Sequence, residues 1–315
     1  MKNGLARFDF YLNQLEKLLL NAAANENPAL WLYSNNARTP LFMLEGLGKL
    51  YSGLHNPKKF AKIGMHFKLL EDALGAIDYY DSFAKQFSKD KKIPAKTTKF
   101  LQTKTAEKVK FLNDLLMERN WIGENADRLA KIRKKLNDAD WLKEDAEMKA
   151  IESYYRVSIG KINAFAKIYK NGFTELETQV HELRRKLRWL SIYPQALQGC
   201  IQLTEKSAED KNLAKYLTPE IVNSPFNKMP NVGANKVLLM FEKDYFLSLS
   251  WMIAELGKLK DEGLRIVILD EANDKSSSDS ANTTAILSKA TEISKTYFTE
   301  KNLDKLLNGI GKAKG

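Results

Sequence analysis

Between residues 141 and 170 the apolar side chains Met148, Ile151, Tyr155, Ile159, Ile162, Phe165 and Ile168 return every three or four positions, with no proline among them. That period is helical, and a stripe so long commits the segment to one extended helix with a face to bury. The same period recurs along the first half. Phe8, Leu12, Leu15, Leu18 and Leu19 mark a helix over 5–24. Leu41, Leu44, Leu47 and Leu50 mark another that stops near Gly53, and Phe60, Ile63, Phe67, Leu70 and Leu74 a third over 58–87. Phe100, Leu101, Val109, Leu112 and Leu116 mark a fourth over 97–120. Only 16 glycines and 8 prolines punctuate 315 residues, which favours long uninterrupted helices. The expectation is an all-α chain of two related antiparallel helical bundles, 1–171 and 172–315. They part at Asn171-Gly172, where a glycine suits a left-handed helix cap.

The second half is less regular. A helix is expected from about Val180, kinked at Pro194 and continuing to about Leu203. Short helical pieces over 208–217 and 219–222 lie among loops holding Pro225, Pro230 and Gly233. A long helix is expected over 235–260, a flexible loop over 275–283, and a last helix over 285–297, with a short one after Thr299 and a frayed basic tail. Ile266-Val267-Ile268-Leu269 is the single β-type run, and one run cannot make a sheet.

Fifty Lys and Arg against 39 Asp and Glu leave a net charge of +11, which favours anionic partners such as nucleic acid, phosphate polymers or an acidic membrane surface. No apolar run is long enough for a membrane span, and Met1 to Arg7 do not lead into a signal-peptide core. Cys200 is the only cysteine, so no internal disulfide can form and a reducing, cytoplasmic setting is expected.

Positive charge is densest in Val180-His181-Glu182-Leu183-Arg184-Arg185-Lys186-Leu187-Arg188-Trp189-Leu190. Leu176, Val180, Leu183, Leu187 and Leu190 form its core stripe. His181, Arg184, Arg185 and Arg188 share another face, with Lys186 at its flank. Like charges one turn apart cost roughly 0.2–0.5 kcal/mol per pair, and Glu182 is the only acid within the run. Two readings follow: a solvated face with partners on neighbouring helices, or a site for a polyanion. Arginine forks and a protonatable histidine suit phosphate oxygens.

This helix resembles the signature helix of the CHAD family, the histidine-bearing α-helical domain. Downstream, Leu256-Gly257 followed by Asp261 is similar to that family's Leu-Gly-x-x-x-Asp helix end. The resemblance implies two related helical bundles around a basic cavity and an association with inorganic polyphosphate, with no chemistry established for the fold. Leu74-Gly75 with Asp78 is a near echo in the first half, so the chain reads as a degenerate two-fold repeat. There the equivalent cations reduce to Arg38 and Lys49, and Lys62 and His66 follow on the next helix. The polyanion site expected is therefore His181, Arg184, Arg185, Lys186 and Arg188, joined by Arg38, Lys62 and His66.

Catalytic patterns are missing. There is no Gly-x-Gly-x-x-Gly, no phosphate-cradling Gly-Lys-Ser loop and no His-Glu-x-x-His among three histidines, so no catalytic residue, metal set or cofactor is assigned. Glu71, Asp72, Asp78 and Asp81 fall close on one helix and could hold a divalent ion, but ion pairing is the ordinary reading. His55 reads as a surface residue, His66 as part-buried, and Trp189 as core. The bases from Arg128 to Lys135, with the acids that follow, read as helix-end electrostatics. The function expected is non-catalytic binding of inorganic polyphosphate or a similar polyanion. The alternatives are a nucleic-acid binder, a scaffold for an acidic protein, or an enzyme of phosphate chemistry.

Overall fold

The computed structural model describes residues 3–205, 210–272 and 280–313. The chain is predominantly helical and divides into two compact units, Met1–Leu142 and Lys143–Gly315. Among the described residues no helix is long and apolar enough to cross a membrane.

Among its described residues the first unit has helices and no strand: α1 (Asn3–Ala23), α2 (Pro28–Ser34), α3 (Arg38–Leu54), α4 (Pro57–Phe87), α5 (Ala95–Glu118) and α6 (Arg128–Asn137). Its core is built on the stripes that the apolar period marks, with Phe8, Leu12, Leu44, Leu47, Tyr51, Phe60, Phe67 and Leu70 all buried. α3 and α4 approach closely because glycine faces glycine. A Cβ built on Gly48 would lie 2.6 Å from the Cα of Gly64. Trp141 closes the other end, with its ring against Phe8, Tyr51 and Phe60 and its indole N–H donating to the carbonyl of Leu136 at 3.0 Å. α2 lies between the helices that the apolar period marks. Asn27 caps it by accepting from the amide of Leu30, and Pro28 opens it.

The second unit holds α7 (Glu144–Ile168), a π-helical turn (Leu176–His181), α8 (Glu182–Ala196), α9 (Pro219–Val222), α10 (Lys243–Ala272) and α11 (Ser280–Thr299). Its described residues also form three strands, β1 (Ile201–Leu203), β2 (Val237–Phe241) and β3 (Leu307–Lys312), in the order β1-β2-β3. β1 runs parallel to β2, with Ile201 opposite Leu239, and β3 runs antiparallel to β2, with Ile310 opposite Leu239. The units part at Leu142 rather than at Asn171-Gly172. The α7 stripe is covered by β2, β3 and α8, so this helix belongs to the second unit. Gly172 does take a positive φ of 138°, but the turn it makes lies inside that unit.

Four expectations for this half are corrected. The helix ends at Ala196, two residues past Pro194, and Gln198 and Gly199 turn with positive φ into β1. Gly199 packs against the backbone of Asn231 so tightly that no Cβ fits there. The segment expected to be helical from 235 begins as β2 and becomes helix only at Lys243. Ile266 to Leu269 is helical, inside α10, with Ile268 fully buried and Val267 half exposed. The tail forms β3 instead of fraying. The loop expected over 275–283 lies outside the described residues up to residue 279, and α11 begins at Ser280.

Candidate functional site

Each unit contains an arginine laid on the glycine of a Leu-Gly pair. In the first, Arg38 opens α3 and its guanidinium covers Gly75 of α4, where a Cβ would come within 3.1 Å of Nη2. Arg38 donates from Nη2 and Nε to Glu71 Oε1, at 2.6 and 3.1 Å, and from Nη1 to Asp78 Oδ2 at 2.8 Å. Glu71 and Asp78 flank Gly75 by about one turn on either side, so the fork spans two carboxylates across a gap that only glycine leaves. In the second unit Arg184 covers Gly257 of α10, where a Cβ would come within 3.0 Å of Nε. Its Nε donates to the carbonyl of Ile253 at 3.2 Å. Burial lowers the pKa of this guanidinium, and the charge of Asp261 acts in the opposite sense.

The recurrence matches the residues from which the internal repeat was read, Arg38 with Leu74-Gly75 and Arg184 with Leu256-Gly257. It also shows that two of the expected polyanion ligands are engaged inside the protein. Arg38 has two carboxylates, and Arg184 is a half-buried packing residue.

Of the remaining cations of α8, Arg185 is exposed and Lys186 is half-buried. Arg185 pairs with Glu182, and Lys186 pairs with the other oxygen of the same carboxylate at 2.9 Å. Burial pushes the Glu182 carboxyl up, but Lys186 and Arg185 outweigh it and hold its pKa below the usual range. Lys186 also stands 5.3 Å from the ring centre of Phe165. Arg188 is half-buried. His181 ends the π turn, with Nδ1 2.7 Å from Glu177 Oε1. The π turn precedes α8, and His181 itself has helical angles, φ −65° and ψ −39°, where the two join. Trp189 is core, 7% exposed and stacked on Tyr193.

Lys62 and His66 lie elsewhere, on α4. His66 is half-buried and its pKa is lowered, first by burial and then by Arg128, Lys135, Lys62 and Arg119. Three of those cations, Arg119, Arg128 and Lys135, come from the end of α5 and from α6, and the residue spacing did not connect them to His66. Arg128 is fixed by donating from Nε to the carbonyl of Arg119 at 2.8 Å. His55 is not a surface residue. Its ring packs edge-on against Tyr51, Phe60 and Trp141.

The acids of α4 are engaged by side chains. Glu71 and Asp78 hold Arg38, Asp72 pairs with Lys68, and Asp81 takes both Lys85 and the Tyr33 hydroxyl. Among the described residues no group of three or more potential ligands is placed to hold a metal. In the first turn of α7, Glu144 accepts from the amides of Lys236 and Val237 and so secures the start of β2. Comparison with family models, with curated proteins and with solved structures finds no match to this chain.

Proposed function

We propose that the chain binds a phosphate-rich polyanion, inorganic polyphosphate or a polymer like it, along α8 in a reducing, cytoplasmic setting, and does not turn it over. One observation carries this reading. Arg185, 60% exposed, and Lys186 share a single carboxylate, so this face of α8 keeps an uncompensated positive charge. Phosphate oxygens would complete it through charge-assisted hydrogen bonds. Arg184 packs on Gly257 within the same unit rather than touching the ligand, and the arginine-on-glycine device found in each unit fits the two-fold repeat that the CHAD resemblance implies. A nucleic acid is the second choice because Trp189 is buried and offers no platform for a base.

The test is binding of labelled long-chain polyphosphate at physiological salt. Wild type is compared with Arg185→Ala/Lys186→Ala/Arg188→Ala and with a charge-matched triple at the exposed Lys91, Lys92 and Lys96. The first variant is expected to lose at least tenfold in affinity and the second little. For wild type, log K should fall by about 0.7 per phosphate contact for each tenfold rise in salt. Equal losses in the two variants mean diffuse attraction, and no binding by wild type sinks the proposal. Consumption of polyphosphate in the presence of magnesium would make the protein an enzyme instead.

A further inference from the structure

A cleft of about 300 Å³ opens in the second unit where α7 and α11 both end. It lies on elements other than α8. Four lysines line it: Lys167 in the last turn of α7 and Lys170 just past it, Lys295 on α11 and Lys301 two residues past its end. All four are exposed, and among the described residues no carboxylate pairs with any of them. The ordinary explanation of lysine at a helix C-terminus is the macrodipole, about half a negative charge per helix. Two helix ends therefore account for about one of the four positive charges. Asp304, the acid in the lining, accounts for another and already accepts from Asn163 Nδ2 at 2.6 Å. About two positive charges remain without a counterpart.

The walls between the lysines are aromatic. Tyr169, Phe173 and Phe298 line the cleft, with the first two rings 5.6 Å apart and tilted by 34°. Ser294 completes the lining. It is only 6% exposed, and its hydroxyl has no hydrogen-bond partner. A small cleft with apolar walls and a few polar groups is the ordinary form of a small-molecule site, and this volume is at the lower end of that range. An excess of about two positive charges matches a phosphate monoester, which carries about −1.5 to −2 at pH 7. The aromatic walls match a flat ring held beside it.

We infer that this cleft binds a small flat-ringed phosphate monoester of the nucleoside monophosphate type, with the lysines on the phosphate and the aromatic residues on the ring. The test is calorimetric titration of the full chain with adenosine monophosphate, with adenosine and inorganic phosphate as partial probes. Adenosine monophosphate is expected to bind at least tenfold more tightly than either part. Lys170→Ala/Lys295→Ala should weaken it at least tenfold, and the charge-matched Lys91→Ala/Lys92→Ala should leave it unchanged. Phe298→Ala should bring the nucleotide down to the affinity of inorganic phosphate while leaving phosphate binding intact, which a misfolded variant would not do. Equal affinity for nucleotide and phosphate, equal loss in the two lysine pairs, or no binding at millimolar nucleotide would overturn the inference. Loss of polyphosphate binding in the α8 triple would not alter nucleotide binding here, so the two sites succeed or fail separately.

Discussion

Arg38 and Arg184 were visible as cations, but their partners were not. Helical spacing says which residues share a face. It does not say which side chain on another helix meets that face, and Glu71 is 33 positions from Arg38. His66 shows the same limit, because most of the cations around it come from α6 and the end of α5. Glu45 on α3 carries no signal in the sequence for a related reason, since only packing gives it an unusual environment. Burial, with Glu71 and Asp72 adding and Lys68 and Lys49 opposing, pushes its carboxyl up to about 7. A carboxyl raised on folding binds its proton more tightly in the native state, so its contribution to stability falls as pH rises from the ordinary carboxylate range through about 7. Glu45→Gln cannot ionise and should escape that loss. Relative to wild type, its melting temperature is therefore expected to be higher at pH 8 than at pH 5. An equal gap at the two pH values would show that Glu45 titrates normally.

At the scale of elements, the long helices were legible because one period persisted over many turns and few breakers competed with it. The strands were not, because each is short and lacks a clear alternation. Val237 to Phe241 is a continuous apolar run that a buried helix could also carry, and Leu307 to Lys312 contains two glycines, which are poor strand formers. Conversely, the β-branched run at Ile266 stays helical because α10 continues through it and buries one side only. The glycine-on-glycine contact between α3 and α4 gives a sharp expectation. Gly48→Ala gains about 1 kcal/mol of helix propensity but drives a methyl into the backbone of Gly64, and overpacking of that kind costs about 1–3 kcal/mol. Because backbone cannot rotate away, net destabilisation is expected. Gly160→Ala on α7 is the control. Nothing lies within 4 Å of its Cβ position, so it should stabilise by about 0.5–1 kcal/mol. Urea midpoints for the two variants should move in opposite directions, and a shift of the same sign in both would refute the packing account.

For the whole molecule, the sequence carried the helical class and the excess of positive charge, but it set the division of the chain too late. Asn171-Gly172 is a real turn, yet a turn ends an element and does not by itself end a compact unit. With two such units, a single unfolding free energy need not describe the chain. Tryptophans in both units would blend their signals, with Trp31, Trp121 and Trp141 in the first and Trp189 and Trp251 in the second. Cys200 is different. It is the chain's only thiol and is fully buried, and its carbonyl accepts from Leu239 at 2.9 Å where β1 meets β2. A thiol reagent can reach it only when that region opens, so the rate of labelling is a clock for excursions of the second unit alone. Slow labelling in native buffer that accelerates with urea is expected, and immediate labelling would show that the junction is already loose. One sulfur atom thus turns the sheet's rare moments of exposure into a measurable half-time, with no probe engineered into the protein.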